Sequence, residues 1–491
     1  MKNLLRFTWI LIITTLFNLS CLTKPIDNRE NDSVSPLLVS QFVYDGMAMY
    51  YLWNEQMLGR EPTATDTDVG KYFESLLYRP TDVWSWITDD VDALLNRLAG
   101  QATHAFGFAT TTFRITGTER VEGFVRYVYP NTPAEKMGIV RGDIIVAANG
   151  APINTSNYRI LFGLFGTTGT TTFTVYDQHR KKSREVTVTP DAFPANPVLH
   201  SSIHEIDGKI IGYLFYTAFR NNFNNDLHRV FSEFRQAGVT DLVLDLRYNS
   251  GGHSEAAIYL ASMIVPRAEV VGQEIFTTLI FNQFVDKLLL GYPLGQSSQR
   301  DPLSANLNLS RVFIIATEFS ASASELTIFC LRPFMEVNHI GDKTPGKYTA
   351  SRTIHAFDCF SVNGIPRATT VHSRFDLTAA EREELRNWAM QPIVAKFTNK
   401  RGETFADDGT LIPDFQMQSY RFLRSPELWK PIGDENDYFF AKAISLITGR
   451  EFTPLTRSAS GRQFIGTPLF SPQEILLRRA VNINNVEIEP N

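Results

Sequence analysis

Residues 317–331, TEFSASASELTIFCL, carry serines at alternate positions (Ser320, Ser322, Ser324) between a strand-like and a helix-like apolar run. A serine at a strand-to-helix turn lies in the partial positive field of the helix N-terminus, which stabilises a developing oxyanion. It becomes a nucleophile only with a base beside it. No histidine offers itself plainly. His253 adjoins a glycine turn, the setting of an ordinary polar surface residue, and His200 and His204 stand at helical spacing without the His-Glu-x-x-His order of a zinc hydrolase. Lysine remains, because GDKTPGKYTAS sets Lys347 in a loop beside Pro345, Gly346 and Tyr348. A free lysine titrates near about 10.4, so a lysine base must be desolvated to act at neutral pH. A second turn, DLRYNSGGH, places Asn249, Ser250, Gly251 and Gly252 between a strand and a helix, where glycines let backbone N–H groups point outward. Taken alone, an alternating Ser-Ala run is the ordinary start of a small-residue helix. The nucleophile reading depends on Lys347 and the glycine turn together.

These turns need parallel strands with crossover helices to hold them. KIIGYLFYTAF, TDLVLDLR and RVFIIATE read as buried strands, HSEAAIYLASMIV reads as a helix, and Phe223, Leu227, Val230, Phe231 and Phe234 mark another helical face before Gly238. In such folds ligands gather outside the carboxyl ends of the strands. Upstream, residues 104–192 read as a small β-rich unit with two helices. In the first, Thr132 is the expected N-cap, with Pro133, Glu135 and Gly138 completing its start and stop; the second spans about residues 156–165. Residues 36–100 carry helical periodicity, with Trp84, Ile87, Val91, Leu94 and Leu95 on one face. Residues 416–491 read as a helical extension, clearest in DYFFAKAISLITGR.

A net charge of −5 over 491 residues, without a basic run, argues against nucleic acid as a partner. The first 21 residues pair Lys2 and Arg6 with an apolar run, as a secretory signal does. Cys21 after Ser20 resembles a bacterial lipobox, although Asn18 stands where leucine is usual. The expectation is a lipid anchor on Cys21 that holds the protein in a bacterial cell envelope, facing the periplasm or the cell surface. An ordinary signal peptide or an uncleaved anchor is the alternative. Cys330 and Cys359 are the remaining cysteines, and a disulfide between them is left open.

Residues 104–192 resemble a PDZ domain, a module that binds peptide ends by strand addition. The resemblance implies that the loop of Phe106, Gly107 and Phe108 receives a peptide carboxylate on its N–H groups, with Ile160, Leu161 and Leu164 towards the groove. DLRYNSGG, SASASE and GDKTPGK, in this order behind a PDZ-like unit and a secretion signal, resemble the C-terminal processing peptidases, tail-specific serine proteases related to the tricorn core. The likeness covers about residues 100–415, ending with FTNKRGETFADDGTLIPDF. It implies an α/β multidomain protein with a crotonase-like βα protease core in residues 193–415, an inserted or preceding PDZ-like domain and a helical N-terminal subdomain. It also implies Ser322 as nucleophile, Lys347 as general base, and the N–H groups of Ala323 and of Gly251 or Gly252 as oxyanion donors. Many members carry Gln four residues after the lysine and Gly directly after it. Here Ser351 and Tyr348 stand there, so either Ser351 or Glu325 orients the amine. No metal or organic cofactor is implied, and the expected substrates are protein or peptide C-termini. The alternative is a catalytically weak or inactive peptide-binding protein of the same fold.

Overall fold

The computed structural model describes residues 35–162, 169–283, 290–297, 299–356, 378–405, 409–417, 426–452 and 466–469. Cys21, the expected signal segment and Cys359 lie outside them, and Cys330 is buried with a free thiol.

Helix α1 (Leu38–Tyr50) buries Phe42, Val43 and Met47, and α2 (Val69–Leu76) starts at Asp68, whose carboxylate accepts the Lys71 N–H. The face expected to run from Trp84 to Leu95 along one helix is split. Strand β1 (Trp86–Thr88) pairs antiparallel with Ala389–Gln391, and α3 (Val91–Leu98) begins only after Asp90 accepts the Ala93 N–H at 2.9 Å. Aromatic and β-branched residues at 86–88 suit a pleated surface, and an aspartate cap restarts the helix. Leu95 is consequently 47% exposed instead of facing a core.

Strands β2 (Phe108–Ile115), β3 (Val121–Val128), β4 (Ile144–Ala148), β5 (Thr171–Asp177) and β6 (Lys182–Val188) follow one another in an antiparallel sheet. Its core holds Phe106, Phe108, Val125, Ile145 and Phe173. Phe106 stacks on Phe108 and both meet Phe173 edge-on, so these side chains are structural. Around the short helix Pro133–Lys136, the Thr132 hydroxyl donates to Tyr129 O instead of capping, while Glu135 accepts the Asn131 N–H at 2.6 Å. Of the second expected helix, a 3₁₀ turn, Tyr158–Phe162, is described; Leu164 lies outside the described residues.

The core sheet opens with β7 (Val198–Ile206), antiparallel to β8 (Lys209–Tyr216). His200 and His204 therefore lie on a strand, not a helix. After helix α4 (Asn224–Gln236) comes β9 (Asp241–Asp245), and after α5 (Ser254–Ile264) come β10 (Arg311–Ala316), α6 (Ala323–Leu331), β11 (Glu336–Gly341) and β12 (Phe415–Gln416). From β8 the order β8-β9-β10-β11-β12 is parallel throughout. Alternate side chains divide between two faces, as a strand requires. Leu214, Leu242, Leu244, Val312 and Ile314 pack with the helices between the strands. Tyr213, Phe215, Val243, Phe313 and Ile315 pack under Phe439, Phe440 and Ile444 of α7 (Tyr438–Thr448), a helix of the C-terminal extension. A parallel sheet needs cover on both faces, and α7 supplies it on the second. Asp437 caps α7 and forms a buried ion pair with Arg247, which also pairs with Asp245 at the end of β9. Finally β13 (Gly466–Leu469) lies antiparallel against β2.

Candidate active site

Because β9 and β10 are parallel neighbours, the turns that follow them emerge side by side. The alternate serines divide by environment. Ser320 Oγ donates to Leu246 O and Ser324 Oγ to Asn249 O, each at 2.7 Å, and both residues are fully buried. They lace one turn to the other. Ser322 between them is partly exposed and holds φ 56° and ψ −111°, a conformation L-residues rarely adopt. Asn249 organises the facing turn: its Nδ2 donates to Tyr216 O at 3.0 Å and its Oδ1 accepts the Gly251 N–H at 2.9 Å.

Gly251 has φ 106°, and a Cβ there would lie 2.8 Å from both Ala321 O and Ser322 Cβ. Only glycine lets the two turns approach this closely. Since the Gly251 N–H is already committed to Asn249, it is not the free donor; the N–H groups of Gly252 and Ala323 donate to no described residue.

Glu325 is fully buried one turn into α6. Its Oε2 accepts the backbone N–H of Ser322 at 2.8 Å and of Lys347 at 2.9 Å, and its Oε1 accepts that of Gly346 at 2.7 Å. Burial pushes its carboxyl pKa up, while bonds from Thr344, Ser322, Gly346 and Lys347 pull against that rise. The lysine loop is clasped from its other side. Gly346, at φ 87°, leaves no room for a Cβ beside Gly409 O, and Thr344 exchanges hydrogen bonds with Leu411.

The Lys347 Nζ lies 5.2 Å from the centroid of the Trp84 ring. Burial pushes its amine down to about 8, with the charges of Glu325 and Asp82 acting in the other direction. Asp82 is fully buried. Its Oδ1 accepts the N–H of Trp84 at 2.9 Å and of Ser85 at 3.0 Å, and its Oδ2 has no hydrogen-bond partner of ordinary geometry among the described residues. Ser85 Oγ in turn accepts the Ile393 N–H at 2.9 Å. The wall of the lysine pocket is therefore built by the N-terminal segment. Sequence reasoning missed this because Trp84 reads as part of a helical face, and nothing in the local pattern ties it to a loop so far along the chain.

Ser351 ends the strand Thr349–Ser351 and pairs with Ile393; its hydroxyl bonds to no described residue. Of the two groups considered for orienting the lysine, Glu325 is the one that touches the Lys347 backbone. His253 sits at the N-cap position of α5, where burial lowers its imidazole pKa. The Phe106, Gly107 and Phe108 loop opens β2, with the Phe106 and Gly107 carbonyls bonded to Ala134 and Tyr129 N–H within the sheet domain. That domain also meets the two turns. The Arg126 guanidinium of β3 lies 4.1 Å from the centroid of Phe319 and 5.2 Å from that of Tyr248.

Comparisons with known proteins agree on one family. Residues 210–409 match the model described as peptidase family S41, residues 39–86 the peptidase S41 N-terminal domain, and residues 124–159 a PDZ domain. A carboxyl-terminal-processing protease of Picosynechococcus sp. is 28% identical over 222 residues, 44% of this chain and 49% of that protein. The chain thus spans about half the length of that relative. The carboxy-terminal processing protease CtpA of Bacillus subtilis is 21% identical over 334 residues, 64% of this chain and 67% of that protein. Among solved structures, an S41-family protein from Bacteroides fragilis superposes with a TM-score of 0.65 at 22% identity, covering 86% of this chain and 98% of that one.

Proposed function

This chain belongs to peptidase family S41, the carboxyl-terminal-processing peptidases, and on that premise we propose that it is a serine endopeptidase that cuts protein or peptide chains near their C-termini with a Ser322–Lys347 pair. The observation that carries this reading is the shared carboxylate: Glu325 holds the backbones of Ser322 and Lys347 on one oxygen, and desolvation lowers the pKa of the Lys347 amine.

In this mechanism Ser322 Oγ attacks the peptide carbonyl while neutral Lys347 Nζ takes its proton. The negative charge on the former carbonyl oxygen is held by the N–H groups of Ala323, at the start of α6, and of Gly252, in the facing turn. Collapse of that intermediate breaks the C–N bond, and Lys347 returns the proton to the departing amine. Water, deprotonated by the same amine, then releases the acyl group from Ser322. Glu325 fixes where the lysine backbone sits. No metal or organic cofactor takes part.

The same reading extends to recognition and location. The PDZ-like domain receives substrate tails on β2, with the 106–108 loop facing the terminal carboxylate. A lipidated Cys21 holds the protein in a bacterial envelope, towards the periplasm or the cell surface. The test is to incubate the purified protein and its Ser322→Ala form with a partly unfolded protein. Fragments from the parent alone support the reading; fragments from both, or from neither, reject it.

A further inference from the structure

The chain itself closes the β2 edge of the PDZ-like sheet. In β13, Gly466 stands opposite Ile115, Thr467 opposite Arg114, Pro468 opposite Phe113 and Leu469 opposite Thr112. That edge is where strand addition seats an incoming peptide, because its N–H and C=O groups otherwise lack partners. Pro468 fits, since proline is tolerated in edge strands.

Direction and side-chain placement match a bound tail as well. Moving forward along β13 means moving back along β2, from Ile115 towards Phe108, so the segment heads for the 106–108 loop. Opposed residues of an antiparallel pair share a face. Leu469 therefore shares the face of Thr112 and Thr110, and the Thr110 hydroxyl donates to Leu161 O at 2.9 Å. Leu469 is half-buried against the cluster that includes Phe106, Phe108 and Leu161. One apolar side chain against this cluster and a backbone ladder on β2 are what a tail would supply.

We propose that residues 466–469 are a tethered occupant of the peptide-binding edge, which a substrate tail must displace before the domain can engage it. This rests on the reading of β2 as the tail-binding edge. A tether acts at high effective concentration, so even a short ladder competes well in cis. If the segment is seated about nine-tenths of the time, apparent affinity for an outside tail falls about tenfold.

The experiment compares full-length protein with its Leu469→Asp and Leu469→Met forms. Two readouts are taken: hydrogen exchange of the 108–115 amides, and binding of a fluorescein-labelled decapeptide with a free C-terminal leucine. Leu469→Asp should speed exchange on β2 and tighten probe binding about tenfold, whereas Leu469→Met should leave both near the parent values. Exchange on β2 unchanged by Leu469→Asp overturns the proposal whatever the probe does. Faster exchange with no probe binding in any form leaves the segment seated on β2 but overturns the competition, together with the tail-binding reading. Fragmentation of the partly unfolded protein is scored separately, so failure of the catalytic reading is told apart from failure here.

Discussion

Glu325 Oε2 accepts the backbone N–H of Lys347 at 2.9 Å while holding that of Ser322 at 2.8 Å, so one buried carboxylate sets the separation of the two residues proposed to react. An amide in its place offers one acceptor oxygen, and its NH₂ must face an N–H donor. Leaving a buried donor unpaired costs about 1–3 kcal/mol. Glu325→Gln should therefore lose roughly that much stability in urea unfolding, and cleavage should fall at least tenfold because the serine turn and lysine loop separate. Parent-like stability and rate would show that the carboxylate does not organise the site.

The depressed pKa of Lys347 makes two measurable statements. In catalysis the amine must be neutral, so kcat/KM should rise with pH about a midpoint near 8, and Lys347→Arg should abolish cleavage because guanidinium keeps its proton. In stability, the folded pKa lies below the unfolded one, so between about 8 and about 10.5 the unfolded chain binds more protons and folding gains with rising pH. Below about 8 the amine is charged in both states, and its desolvation is a standing penalty. Removing the amine with Lys347→Met should accordingly stabilise the protein at pH 7 by about 1–3 kcal/mol, at 1.36 kcal/mol per unit less what residual solvent contact returns. Equal melting temperatures for parent and variant would argue that this lysine is not desolvated.

The Asp82 charge acts on that amine against burial, which separates its role from general support of the fold. It favours the protonated lysine, whereas burial, the largest influence on this group, favours the neutral one; the Trp84 ring beside Nζ is a cation–π partner as well as a wall. Asp82→Asn should move the acid limb of the pH profile to lower pH. A shift to higher pH, or none, would contradict this picture of the pocket wall.

Much of the core was legible because its cues are local. Apolar runs of strand length ending in Asn-Ser-Gly-Gly or Ser-Ala-Ser-Ala-Ser mark strand ends, and the period-two split of β8, β9 and β10 follows from continuous burial. Long-range pairing carries no such mark. Trp84, Ile87 and Val91 satisfy helical spacing, and what makes 86–88 a strand is Ala389–Gln391, far along the chain. The same holds for Asp437, whose partner Arg247 is identifiable only once α7 covers the sheet. Gly251 and Gly252 look interchangeable in sequence; the Asn249 side chain, by taking the Gly251 N–H, tells them apart.

Ser322 and Gly251 meet where the two turns face each other, and their substitutions should have opposite effects on stability. Ser322, at φ 56° and ψ −111°, occupies a sparsely populated region that costs about 1–3 kcal/mol for a residue with a Cβ. Glycine removes that strain, although its greater freedom in the unfolded chain returns part of the gain. Ser322→Gly should thus be about 1–2 kcal/mol more stable than Ser322→Ala, with neither cleaving. Gly251→Ala works the other way: at φ 106° its Cβ would press at 2.8 Å on Ala321 O, a backbone atom with no rotamer to escape into. It should lose stability by about 1–3 kcal/mol and cleavage by far more, because relief of the clash displaces the Ser322 turn from the lysine loop. Chemical denaturation of the three variants beside the parent decides the matter, and equal stability of the two Ser322 variants would mean that the turn stores no strain.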